Sequence, residues 1–171
     1  MFFMKYILIF FILLIFSMIG NLYSKKYVNR VTELEQMKNM LNVFKAKIKF
    51  TGLTIQEIFE QLHEDNKNSV GEIFKLANEY MQDNSAKEAW EKALDESKST
   101  NDLNEEDINV LKSLGKMLGN TDIEGQVSQI ELTENLLNDK ILEAQESKRR
   151  NTKLYKTLGV AAGLAIAIIL I

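Results

Sequence analysis

The 171-residue sequence has no cysteine, no proline, one histidine and one tryptophan. Without cysteine there is neither a disulfide framework nor a thiolate metal site. Without proline, whose ring and missing N–H break helix interiors, the chain reads as helical nearly throughout. The single histidine, His63, stands in His63-Glu64-Asp65. It has no second imidazole or thiolate to complete a metal site, and it suits the negative end of a helix. No Ser-His-Asp set can be assembled around it, and no Gly-rich phosphate loop is present. Adjacent carboxylates such as Glu105 and Glu106 point different ways on a helix. The Glu-x-x-His pairs of di-metal bundles are also missing. The acidic balance, with a net charge of −3 and no basic patch interleaved with aromatics, argues against nucleic acid. The expectation is a protein that is not an enzyme, with no catalytic residues, cofactor or metal.

Charge is also missing from two long runs, one near each end. Residues 6–22 are 17 uncharged residues, about 26 Å as a helix, against a hydrocarbon core of ~30 Å. Residues 158–171 are 14 uncharged residues, about 21 Å. Extended back to residue 154, the run reaches 18 residues and about 27 Å, with Lys156 snorkelling to the head groups. A buried core helix is the alternative for the second run, and a signal peptide for the first. Against the signal peptide, the basic residues follow the apolar run and no A-x-A-like cleavage site is present. The expected organisation is an N-terminal anchor at 1–24, a helical region at 25–153 and a C-terminal transmembrane helix at 154–171. Lys25, Lys26 and Arg30 flank the first run, and Lys148, Arg149, Arg150, Lys153 and Lys156 the second, whereas the far sides carry Lys5 alone. Both ends therefore place the central region in the cytoplasm. In the second run Gly159, Gly163 and Ala167 recur every four residues on one face, a pattern that lets another helix approach closely. The partner helix could be the chain's own first span, a second copy in a homo-oligomer, or another membrane protein.

Six helical segments are expected between the anchors. The first, 26–50, carries Val31, Leu34, Met37, Leu41, Phe44 and Ile48 at helical spacing and ends at Thr51 and Gly52. Three capping boxes, Thr54/Glu57, Ser69/Glu72 and Ser85/Glu88, open helices at 55–63, 70–81 and 86–97. Asn104 caps a fifth helix to residue 118, with Glu105, Glu106 and Asp107 at the positive end of its dipole and Gly119 as its C-cap. Asp122 starts a sixth, with Ile123, Val127, Ile130, Leu137, Ile141 and Ala144 on one face and no stop before the membrane. Short loops favour antiparallel neighbours. The fold expected is all-α: a six-helix antiparallel bundle flanked by an N-terminal and a C-terminal transmembrane helix. Trp90 is expected in its core, its indole N–H bonded.

Charge separates along this layout. Residues 54–107 hold 5 Lys/Arg against 15 Asp/Glu, a net of −10, and residues 25–53 hold 7 against 2, a net of +5. The basic part fits topology and attraction to anionic lipid. The acidic part is a solvated face or a docking surface for a basic partner.

Asn109-Val110-Leu111-Lys112-Ser113-Leu114-Gly115-Lys116-Met117-Leu118-Gly119, followed by Asp122 and Gln126, resembles the signature of the stage III sporulation protein AB family. So do Glu88-Ala89-Trp90 with Ala93-Leu94, Gly52-Leu53-Thr54-Ile55, and Leu158-Gly159 opening the last span. The resemblance extends over nearly the whole chain, apart from a first span unusually rich in Phe and Ile. It implies a component of a secretion-like apparatus between mother cell and forespore. It also implies a soluble part similar to the cytoplasmic domain of the inner-membrane platform proteins of type II secretion and type IV pilus machines. The implied partners are a cytoplasmic ATPase and other membrane components of the channel; the implied location is the mother-cell or outer forespore membrane. The family supplies no catalytic residues. The rival expectations are a membrane-anchored helical regulator that transmits a signal, and a membrane-bound enzyme with an acidic site.

Overall fold

The computed structural model describes residues 2–170, so Met1 and Ile171, the outer ends of the two expected anchors, lie outside the described residues. Six helices follow one another: α1 (Phe2–Phe50), α2 (Ile55–Asp65), α3 (Ser69–Tyr80), α4 (Ala86–Ser97), α5 (Glu105–Gly115) and α6 (Ile123–Leu170). No strand occurs among the described residues. The chain divides into two compact units, one of Met1–Val31 with Glu143–Ile171 and the other of Thr32–Leu142.

The 49 residues of α1 and 48 of α6 form single helices, each roughly 72 Å long. The expected segment from residue 26 is therefore the continuation of the first apolar run. Nothing between Tyr23 and Val31 frees a backbone amide: no proline occurs, and Ser24 turns its hydroxyl back onto the Asn21 carbonyl at 3.0 Å. The sixth helix likewise runs through Arg150 without a stop. Among the described residues, one helix is long and apolar enough to cross a membrane by length and composition, α1 from Ile9, with a mean hydropathy of 1.4.

The Thr32–Leu142 unit is built on a dry core. The α1 stripe of Leu34, Met37, Leu41, Phe44 and Ile48 is buried as its spacing predicts. Against it lie Ile58, Phe59 and Leu62 of α2, Ile73 and Phe74 of α3, and Trp90 and Leu94 of α4, all buried. Phe44, Phe59, Phe74 and Trp90 form a ring cluster with neighbouring centroids 5.1–5.7 Å apart. Each such pair adds about 0.5–1.5 kcal/mol beyond the area it buries. Trp90 also donates its indole N–H to the Leu111 carbonyl at 2.7 Å, which ties α4 to α5. Ile130, Leu137 and Ile141 of α6 are buried as expected, but Ile123 is 52% exposed. It stands in the first turn of α6, where the stripe has only begun.

The helix starts follow local chemistry, with one correction. Thr54/Glu57 and Ser85/Glu88 form reciprocal capping boxes. Ser69/Glu72 does not: Asn68 is the N-cap of α3 and accepts from the Gly71 amide at 2.9 Å. Asn caps at least as well as Ser, and the Ser69 hydroxyl is drawn to Glu33 on α1 instead. Asn104 and Asp107 form a further reciprocal box, and Asp122 accepts from the Gly125 amide at 2.9 Å to open α6. The fifth helix also ends earlier than expected, at Gly115 rather than residue 118. Lys116 to Asn120 tighten into turns closed by i→i+3 bonds, and Gly119 takes a φ of +72° that other residues resist.

Candidate functional site

The Met1–Val31/Glu143–Ile171 unit pairs the first half of α1 with the second half of α6. Phe16 and Leu13 pack on Gly163, Gly20 on Gly159, and Tyr23 and Tyr27 on Tyr155, so the two stretches run in opposite directions. The approach is closest at the glycines. A methyl group added at Gly159 would lie 2.7 Å from the Phe16 carbonyl oxygen and 3.0 Å from the Gly20 Cα. One added at Gly20 would lie 2.7 Å from the Tyr155 carbonyl oxygen. At Gly163 it would meet Leu13 and Phe16 side chains at 3.2 and 3.3 Å. Ala167, one step further along that face of α6, is 5% exposed. The two glycines read from the sequence thus lie against α1 of the same chain. Gly20 is the partner that the sequence reading did not single out. Its signal was present: Gly20 and Ser24 repeat the same four-residue spacing of small residues on α1, and both are buried.

Above the glycines the pair becomes aromatic and then ionic. Tyr155 stacks on Tyr23 and on Tyr27, with ring centroids 5.9 and 5.7 Å apart. Arg30, a buried cation, reaches the Glu143 carboxylate at 3.4 Å. Apolar residues on the outside of the pair face away from the protein: Phe10 is 60% exposed and Ile168 71%, with Phe11, Met18, Leu22, Leu158 and Leu164 similar. Burying such side chains lowers free energy by about 1.5–3 kcal/mol each, so this surface favours an apolar surrounding over water.

In the Thr32–Leu142 unit, Glu33 is the polar residue that sequence reasoning missed. It lies on the same side of α1 as the apolar stripe and is 7% exposed. Its carboxylate accepts from the Ser69 hydroxyl at 2.8 Å and the Asp102 amide at 2.7 Å. Burial nevertheless pushes its pKa above the ordinary carboxylate value, and the two hydrogen bonds only partly offset that. Its sequence context, Thr-Glu-Leu-Glu, gives no sign of burial; only the convergence of α3 and the α4–α5 loop does. Lys45 of α1 pairs with Glu134 of α6 at 2.6 Å.

The acidic residues of α2 to α5 are largely solvated. Glu57, Glu60, Glu64, Asp83, Glu88 and Glu105 are exposed. Hydrogen bonds from the Thr54 and Ser85 caps hold Glu57 and Glu88 below the usual carboxylate range. Lys112 and Lys98 do the same for Asp95, which bridges α4 to α5. His63 sits in the last turn of α2 with Nδ1 3.2 Å from the Gly71 carbonyl and 3.8 Å from Glu72. Among the described residues, no three His, Asp or Glu side chains converge to hold a metal.

Comparison with known proteins adds a family to this geometry. Residues 5–171 match the family described as stage III sporulation protein AB. A protein of that name from Bacillus subtilis (strain 168) is 27% identical over 149 residues, 86% of this chain and 87% of the relative. A solved structure bearing the same name superposes with a TM-score of 0.66 at 23% identity. It covers 71% of this chain and 98% of its own, a likeness of fold.

Proposed function

The chain belongs to the stage III sporulation protein AB family, and from that premise we propose that it is a non-catalytic membrane platform of a secretion-like sporulation channel. Residues 1–24 and 154–171 act as two transmembrane helices, and residues 25–153 form a cytoplasmic bundle of antiparallel helices. The bundle docks a cytoplasmic ATPase to the membrane assembly, and the apolar pair contacts other membrane components, in the mother-cell or outer forespore membrane. Gly159, Gly163 and Ala167 pack the second span.

The observation that carries the membrane half is the run of large exposed apolar side chains on both α1 and α6, from Phe10 to Leu22 and from Leu158 to Ile168. The basic residues that flank both runs on their inner sides support a cytoplasmic bundle. Support for docking is electrostatic. The exposed carboxylates of α2 to α5 would steer and orient a basic surface more than they would tighten it.

Sporulating cells supply the test. Affinity capture of the full-length chain is expected to recover an ATPase and channel components, and deletion is expected to block spore formation. Capture of neither, together with normal spores from the deletion strain, ends the platform reading.

A further inference from the structure

On the outer surface of the first unit, α1 and α6 border a shallow groove of about 440 Å³, lined by Leu14, Ser17, Met18, Asn21, Lys156 and Val160. The four α1 residues fall at i, i+3, i+4 and i+7 and share one face; the two on α6 are one turn apart. Asn21 and Lys156 stand together at one end, Leu14 at the other, and Ser17 lies between Leu14 and Met18 along α1. Ser17 and Asn21 are exposed polar side chains inside an otherwise apolar stretch. Neither side chain hydrogen-bonds to any described residue, and Lys156 forms no ion pair with one. Leaving such groups unpaired in a low-dielectric surrounding is costly, whereas an anionic head group would satisfy all three at once.

We propose that this groove is a binding site for one anionic glycerophospholipid. The Lys156 ammonium takes the phosphate, Ser17 and Asn21 take head-group or ester oxygens, and an acyl chain lies along Leu14, Met18 and Val160. Charge complementarity selects the occupant. Lys25, one turn beyond Asn21 on α1, raises the local positive potential, while the apolar floor requires chains that a free phosphate does not have. The site rests on the membrane reading above and adds a specific ligand to it.

The full-length chain, purified in detergent, is titrated with phosphatidylglycerol and with phosphatidylcholine of the same acyl chains, and retained lipid is counted by native mass spectrometry. One phosphatidylglycerol is expected to be held about tenfold more tightly than phosphatidylcholine, which has the same phosphate but sets a quaternary ammonium beside the Lys156 cation. Lys156→Gln should remove that preference, and the pair Ser17→Ala with Asn21→Leu should weaken retention of both lipids alike, while Lys153→Gln leaves the preference intact. Equal losses from Lys156→Gln and Lys153→Gln would mean diffuse attraction and overturn the site, as would no preference in the parent chain. Competition by glycerol phosphate at the same concentration as the lipid would assign the groove to free phosphate and overturn it too. Carbonate extraction of membranes separates the two claims. A chain that is released loses the membrane reading itself; a retained chain without lipid preference loses only the site.

Discussion

Glu33 is buried with its carboxylate on the Ser69 hydroxyl and the Asp102 amide, and that burial raises its pKa. Because the folded value lies above the unfolded one, folding takes up a proton as pH falls through the raised value. Glu33 therefore contributes most stability below the unfolded value, and that contribution fades as pH rises through the folded one. Relative to Glu33→Gln, the parent chain is expected to gain stability as pH is lowered from 7 toward the ordinary carboxylate range. The emission of Trp90, the only tryptophan, reports unfolding of the core it occupies. A difference that stays flat with pH would place Glu33 in water. Glu33→Leu removes the acceptor on which two donors converge and should cost about 1–3 kcal/mol in the same assay. Residue contacts also test the helix pair. A methyl at Gly163 would lie 3.3 Å from the Phe16 Cβ, close to the Cβ separation of a disulfide. In this cysteine-free chain, Phe16→Cys with Gly163→Cys should oxidise within one molecule. Adding Gly159→Leu, whose side chain would meet the backbone of α1, should cut that cross-linking severalfold; a covalent dimer instead would mean that the glycines face a second copy.

At the scale of helices, the caps divide the legible from the illegible. Thr54/Glu57 and Ser85/Glu88 could be read because a capping box needs only residues three apart. Ser69/Glu72 has the same spacing and fails, because Asn68 stands one residue earlier and Glu33, distant in sequence, competes for the hydroxyl. Asn68→Ala is thus expected to destabilise the chain by about 1 kcal/mol through the α3 cap. Ser69→Ala acts through Glu33 instead, so its effect should disappear in a Glu33→Leu background, read as a double-mutant cycle. If Ser69→Ala costs as much in that background as in the parent chain, the hydroxyl is capping α3 after all. The end of α5 was illegible for a related reason: Gly119 marks a turn by its positive φ, but the helix has already tightened at Lys116.

For the whole molecule, topology is the decisive prediction. Lys67 and Ser99 are exposed and cap no helix, so single cysteines there should leave the fold intact. Both are expected to resist an impermeant thiol reagent in intact cells and to label after lysis. Labelling in intact cells would put the bundle beyond reach of a cytoplasmic ATPase. A second measurement addresses docking. Reversing Glu60, Glu64 and Asp83 to lysine should weaken ATPase capture, and more so at low salt, where charge steering is strongest. Unchanged capture would leave these carboxylates as a solvated face.

The helical class, the α1 stripe from Leu34 to Ile48 and most helix starts were determined by the sequence alone. Each depends on neighbours within a turn or two, or on an apolar period that any helix must bury. The family resemblance was legible too, because short motifs keep their order and spacing along the chain. Tertiary structure alone decided that Gly20 meets Gly159, that Glu33 is buried, that the Ser69 hydroxyl turns to Glu33, and that Ser17, Asn21 and Lys156 share a groove. Those facts rest on which faces of helices distant in sequence meet: a local spacing can show that Gly20 permits a close approach, but not which helix makes it.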